Sequence, residues 1–149
     1  MFIRILITCS AAFFGTFGFA ILIRTPRRAW VPASAIGTLA YLIYDLLGSC
    51  GFSEPFSIFI GSLCGSILAL ICARHMRMIG TIFLTLSIVA FVPGLGLYRC
   101  MQLIGSGETS AGVQQGISAM ISIAMIALGQ GTGSFIFYLL PHRKAPGKL

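Results

Sequence analysis

An all-α, polytopic membrane protein with about five transmembrane helices is the fold class this sequence predicts, and three observations carry the prediction. First, the 149 residues are 57% hydrophobic and only 9% charged, with a mean hydropathy of +0.98; a soluble domain carries about 25% charge and about 45–50% apolar residues. Second, the apolar residues lie in runs, and a helix crossing the bilayer core needs roughly 20 of them. Third, the cations behind the formal net charge of +7 stand in short clusters between those runs. They do not form an amphipathic face with interleaved aromatics, so they read as topology signals. Membrane lipid is the expected surrounding partner, and nucleic acid is not expected.

The whole chain, 1–149, reads as one transmembrane domain. The first span covers residues 2–23. Its start looks like a signal peptide, but the run ends in a basic cluster and not at a small-residue cleavage site, so a retained span is expected. The turn Arg24-Thr25-Pro26-Arg27-Arg28-Ala29-Trp30-Val31-Pro32 follows, with Trp30 expected at the headgroups and Pro32 opening the next helix. The second span is expected over 33–47, closed by a turn from Gly48 to Pro55. The third, 56–73, ends at Arg74-His75-Met76-Arg77. The fourth, 78–103, is broken at Pro93-Gly94. After a flexible turn around Gly105 and Gly107, the fifth runs over 111–140, followed by a tail with His142, Arg143, Lys144 and Lys148.

The cations alternate between connections. Arg24, Arg27 and Arg28 fall in the first, Arg74 and Arg77 in the third, and three more in the tail; the second connection carries none. Lys and Arg concentrate on the cytoplasmic side, so the N-terminus is expected outside and the C-terminus inside. Arg4 dissents alone. The expected location is the inner (plasma) membrane of a bacterium.

The break in the fourth span is the first candidate site. Pro93 has no N–H and its ring clashes with the preceding turn, so a helix must end or kink there; Gly94 and Gly96 loosen the backbone further. Tyr98 and Arg99 follow, where lipid tolerates neither without shielding. Broken helices at membrane depth pack in protein or line a wet cavity, and in transporters they mark substrate sites. The other reading is a surface loop whose Arg99 snorkels to headgroups.

Asp45 is the acidic residue inside a span, where a carboxylate costs roughly 2.5–3.5 kcal/mol at the helix centre. Ser34, Thr38, Tyr41 and Asp45 share one helical face. That stripe is either a substrate or proton pathway, or it ends at the outer interface near Gly48. Arg99 is the candidate counter-charge for Asp45.

Gly61-x-x-x-Gly65, extended by Ala69 and Ala73, and Gly112-x-x-x-Gly116 read as helix-packing faces. Ser62 and Ser66 run beside the first, and Ser118 and Ser122 follow the second. Gly129-Gln130-Gly131-Thr132-Gly133-Ser134 reads as a tight crossing point through Gly129 and Gly133; an unwound segment offering carbonyls to a ligand is the alternative. Gln114 and Gln115 either line an entrance or sit at the interface.

Metal chemistry is not expected. The five Cys and two His show no ligand spacing, and the thiols read as small hydrophobes. No nucleophile–base pair or phosphate loop stands out either, so neither an enzyme nor a cofactor is expected. About 150 residues are little protein with which to surround a polar pathway, so a partner chain or further copies of this one are expected.

Pro93-Gly94 followed by Tyr98, at the end of an apolar fourth span, is similar to the Pro-Gly…Tyr motif of the threonine/serine exporter family. The layout is similar too: an early Pro26-x-Arg28-Ala29 turn, a second helix opening with small residues, the segment 57–73, a basic turn and then the motif. The resemblance covers residues 21–138 and matches the small five-span subunit type, equivalent to the C-terminal half of the single-chain exporters. It implies a secondary transporter that exports small polar metabolites such as threonine and serine, working with a second five-span subunit and driven by the proton motive force. Two-component members are also associated with export of dicarboxylates such as succinate. The motif maps onto Pro93, Gly94 and Tyr98; Arg99 directly after the tyrosine is a departure. A non-transporting scaffold and a pore of identical copies are the competing readings.

Overall fold

The computed structural model describes residues 2–92 and 94–139; Pro93, the last residue expected in the fifth span and the basic tail lie outside the described residues. The elements follow in the order α1 (Phe2–Leu22), α2 (Arg27–Ser49), α3 (Glu54–His75), α4 (Gly80–Ile88), a 3₁₀ turn (Val89–Phe91), α5 (Gly94–Gly105) and α6 (Thr109–Leu139). α1, α2, α3 and α6 are each long and apolar enough to cross a membrane. α4 and α5 have 9 and 12 residues. At about 1.5 Å per residue neither spans a hydrocarbon core about 30 Å thick. Together they make the broken fourth crossing. Val92 leaves the 3₁₀ turn at φ −57°, ψ 120°, the extended backbone that a following proline imposes.

Four helices end in the same cap. Arg24, Gly51, Arg77 and Gly107 have left-handed backbones, with φ of 56°, 88°, 54° and 91°. In each case the next residue's N–H donates back to the carbonyl five residues before it, as in Thr25 to Ala20 (3.1 Å) and Met78 to Ala73 (2.9 Å). These Schellman caps satisfy carbonyls that would otherwise be orphaned and turn the chain sharply.

The expected start of the second crossing is corrected. α2 begins at Arg27 and not at residue 33: Pro26 provides the extended N-cap backbone, and Pro32 lies inside the helix. Pro32 removes one bond, to the carbonyl of Arg28, and Arg28 is exposed, so solvent or headgroups can serve that carbonyl. Trp30, expected at the headgroup level, is held by two contacts. Its Nε1–H donates to the Thr25 carbonyl at 2.9 Å, and its ring meets Phe17 edge-on at 5.7 Å, clamping α1 to α2.

α3 is the axis of the bundle, packed on α2, α4 and α6. Its buried residues are mostly small: Ser57, Gly61, Ser62, Gly65, Ser66, Ala69 and Ala73, with Ile58 and Leu70. One face receives α4 antiparallel. A Cβ built on Gly61 would stand 3.1 Å from Phe91, one on Gly65 would stand 3.8 Å from Ser87 Cβ, and Gly80 meets Leu70. The next face receives α6 in parallel. A Cβ on Gly129 would fall on Ser62 Oγ and 2.5 Å from the Phe59 carbonyl; one on Gly133 would fall on Ser66 Oγ and 2.8 Å from the Leu63 carbonyl. α6 is one continuous helix through this stretch, so Gly129 and Gly133 lie at a tight crossing and the backbone is not unwound.

Hydroxyls on these faces bond within their own helices. Ser62 donates to Phe59 (3.0 Å), Ser66 to Leu63 (2.9 Å) and Ser87 to Leu84 (2.8 Å). Buried polar groups are thereby satisfied without water. Gln130 of α6 adds a side-chain bond between helices, its Nε2–H donating to the Leu84 carbonyl of α4 at 3.0 Å. Phe83 and Leu86 of α4 are fully buried against Ala20, Ala29, Ala33, Ile36, Ala69 and Ala73.

Gly129→Ala and Gly133→Ala should each destabilise the purified protein by about 1–3 kcal/mol, the usual cost of overpacking. Gly131, with nothing within 4 Å of its added Cβ, should tolerate alanine or gain up to about 1 kcal/mol from helix propensity. Melting in detergent, followed by size-exclusion chromatography, distinguishes the three. Equal melting temperatures for Gly129→Ala and Gly131→Ala would contradict the crossing.

Candidate functional site

The kink in the fourth crossing opens a space. α4 lies against α3 and α2, whereas α5 lies along α6. The α5–α6 hairpin is closed by Gly112, whose added Cβ would stand 3.1 Å from the Cys100 carbonyl, and by Gly116, 3.0 Å from Cys100 Sγ. Because α5 turns away toward α6, a cavity of about 470 Å³ remains between α2, α3, the 3₁₀ turn, α5 and α6. That is in the usual range for small-molecule sites, about 300–1,000 Å³.

Five elements supply its walls. α2 contributes Tyr41 and Tyr44; α3 contributes Glu54 and Ile58; the 3₁₀ turn contributes Phe91. α5 brings Leu95, Gly96 and Arg99, and α6 brings Gln115, Ser118, Ala119 and Ser122. Tyr41, Tyr44 and Phe91 form an aromatic trio with ring centroids 5.4, 6.2 and 6.1 Å apart. Phe91 is buried because it occupies the notch that Gly61 leaves on α3. The trio makes an apolar floor, and the charged and amide groups stand around it.

The charges come from opposite sides. Glu54 is in the first turn of α3, where the positive end of the helix dipole favours a carboxylate. Arg99 is in the second turn of α5. Among the described residues neither takes part in an ion pair or a hydrogen bond. On α6, Ser118 donates to the Gln114 carbonyl (3.2 Å) and Ser122 to the Ser118 carbonyl (3.0 Å). Their hydroxyl protons are therefore used by the helix, and their oxygens remain as acceptors.

The structure brings together some of the sequence candidates and separates others. Arg99 and Tyr41 line the cavity. Gly94 is the first residue of α5, in open space, and Pro93 lies outside the described residues. Tyr98 is 64% exposed and is not part of the cavity wall. Asp45 follows Tyr44 on α2 but does not line the cavity; the carboxylate that shares it with Arg99 belongs to Glu54. Thr38 and Ser34 donate to the carbonyls of Ser34 (2.8 Å) and Trp30 (2.7 Å), so that part of the α2 stripe is absorbed by the helix itself. Glu54, Tyr44 and Phe91 were not singled out from the sequence. The available signal was the 3-4 spacing of Gln115, Ser118, Ala119 and Ser122, which marks one polar face on an otherwise apolar helix.

The sequence model of a family described as "Threonine/Serine exporter, ThrE" matches residues 8–136. No curated protein and no solved structure matches the chain.

With the five native cysteines replaced by alanine, Ser122→Cys should react with a charged methanethiosulfonate at least about tenfold faster than Ile121→Cys, because a thiol needs water to ionise. Ile121 is exposed on the outer face of α6, and Ser122 faces the cavity. Equal rates would mean that the cavity is dry.

Proposed function

The chain belongs to the threonine/serine exporter family, a family of transporters, and we propose that it is one subunit of a secondary transporter that exports small polar amino acids of the threonine and serine type. The carrying observation is the cavity at the kinked crossing, which presents a fixed cation, a carboxylate and hydrogen-bonding groups over an aromatic floor. Transporter sites form where a crossing helix is interrupted, and here the interruption supplies three of the lining residues. In this reading Arg99 holds the substrate carboxylate, and Tyr41, Tyr44 and Phe91 pack against its carbon frame. The proton motive force drives the cycle.

A second subunit completes the pathway in this reading. α5 buries none of its described residues, and Tyr98 and Met101, which do not line the cavity, are 64% and 75% exposed. One wall of the site is therefore a helix with a bare outer face, which a five-span companion or another copy of this chain would cover. The chain sits in a bacterial inner membrane with its N-terminus outside. The left-handed caps support this orientation: Arg24 and Arg77 mark one end of the bundle, and Gly51 and Gly107 the other.

The favoured alternative cargo is a dicarboxylate such as succinate. Arg99 suits either cargo; Glu54 suits an amino acid.

In cells loaded with labelled threonine and expressing the chain with its companion, Arg99→Gln should slow efflux at least about tenfold, the loss of roughly 1.4 kcal/mol or more of binding, at an unchanged amount of membrane-inserted protein. Unchanged efflux would remove the cavity from the pathway. Cys50, exposed in the turn after α2, should be labelled by a membrane-impermeant maleimide in intact cells. Labelling only after permeabilisation would invert the orientation.

A further inference from the structure

We infer that Glu54 and Arg99 divide the two charged ends of a zwitterion between them, and that Glu54 is the residue that makes the cavity choose α-amino acids over dicarboxylates. The inference rests on the cavity being the transport site proposed above.

Three features lead to it. The cavity holds one carboxylate and one guanidinium, from α3 and α5. These two helices do not pack closely on one another; α5 lies along α6 instead. The charges are thus held apart, with no ion pair to neutralise them among the described residues. A ligand carrying both signs can satisfy both.

The second feature is hydrogen-bond polarity. Arg99 is donor-only, and its planar fork matches a carboxylate. Glu54 is an acceptor when ionised, and Ser118 and Ser122 have spent their protons on helix carbonyls, so their oxygens also accept. One set of groups is therefore made for a carboxylate, and the other for donors: an ammonium, or the hydroxyl of threonine or serine. A second carboxylate would bring no proton to those acceptors and would stand near a like charge.

The third feature is that Glu54 packs into no core; apart from its place at the positive end of the α3 dipole, nothing in the fold depends on its side chain. It is exposed and makes no hydrogen bond or ion pair among the described residues. Its charge can be removed without opening a hole in the core.

The test uses the complete transporter, chain and companion, in lipid vesicles, with labelled threonine and labelled succinate. Wild type should move threonine in preference to succinate. Glu54→Gln should shift that preference toward succinate by at least about tenfold, a change equivalent to one lost charge contact, whereas Glu54→Asp should keep the wild-type order. On the wild-type protein alone, 3-hydroxybutyrate, which is threonine without its ammonium, should compete with threonine transport at least about tenfold more weakly than unlabelled threonine does. A wild-type transporter that moves threonine while Glu54→Gln leaves the ratio unchanged would overturn the role of Glu54 and leave the transport reading standing. So would equal competition by 3-hydroxybutyrate. A wild-type complex that moves neither substrate would overturn the transport reading, and this inference with it.

Discussion

Lipid gives helices no hydrophobic reason to associate, so what holds this bundle is close approach, and α3 is where it happens. Glycines, serines and alanines on the faces of α3 let α2 and α6 come almost to backbone contact, with side chains of α4 and the 3₁₀ turn packed beside them. Serine is tolerated there because each hydroxyl folds back onto its own helix. Everything near the site is positioned from this axis. The Gly129 and Gly133 crossing sets the line of α6, and the groove at Gly61 and Gly65 takes Ala40 of α2 together with Ser87 and Phe91 of the fourth crossing. The groove also has an end. Beyond Gly61 the α3 surface passes to Ile58 and Glu54, and Phe91 fills the last notch. The fourth crossing breaks at the next residues, Val92 to Gly94. The chain therefore leaves α3 where α3 stops accepting it, and the space left behind is the cavity.

Much of this was legible in the chain, and the limits have physical causes. Apolar runs, basic turns and Pro93-Gly94 are local signals, so the helical class and the broken fourth crossing could be read directly. The small-residue spacings marked helix faces. What spacing does not say is which neighbour a face meets. Ser34, Thr38, Tyr41 and Asp45 lie on one stripe, yet two of those hydroxyls turn back to the helix and only Tyr41 reaches the cavity. Glu54 reads as a turn residue beside Pro55, and its place opposite Arg99 depends on how α3 and α5 splay, a tertiary property. Tyr98 and Arg99 are adjacent, and successive helical residues point about 100° apart, so only one of the pair can face the cavity.

The turns show a second constraint at work. A non-glycine residue in the left-handed region costs roughly 1–2 kcal/mol, and glycine removes that strain. Gly51 and Gly107 take the relaxed option at one end of the bundle, whereas Arg24 and Arg77 hold the same backbone geometry at the other. A cation just past a helix C-terminus interacts favourably with the last carbonyls, which offsets part of the strain. The rest is consistent with a charge that serves another purpose, namely holding those ends on one side of the bilayer. Arg74 belongs to the same end and lies over Phe137 of α6 at 5.2 Å, so the cationic end also ties α3 to the last helix.

The bare face of α5 follows from the same geometry. Once the fourth crossing swings toward α6, α5 has a neighbour on one side only. Arg99 then looks into the cavity, and Tyr98 looks out from the protein. A phenol at that position wants a hydrogen-bond partner as well as an apolar contact, and lipid supplies the second but not the first. The swing that creates a polar cavity inside one chain also creates a polar requirement on its outer surface. In the proposed assembly a second subunit against α5 would meet that requirement and close the open side of the cavity in one step, so the kink that makes the cavity would also give a reason for the assembly.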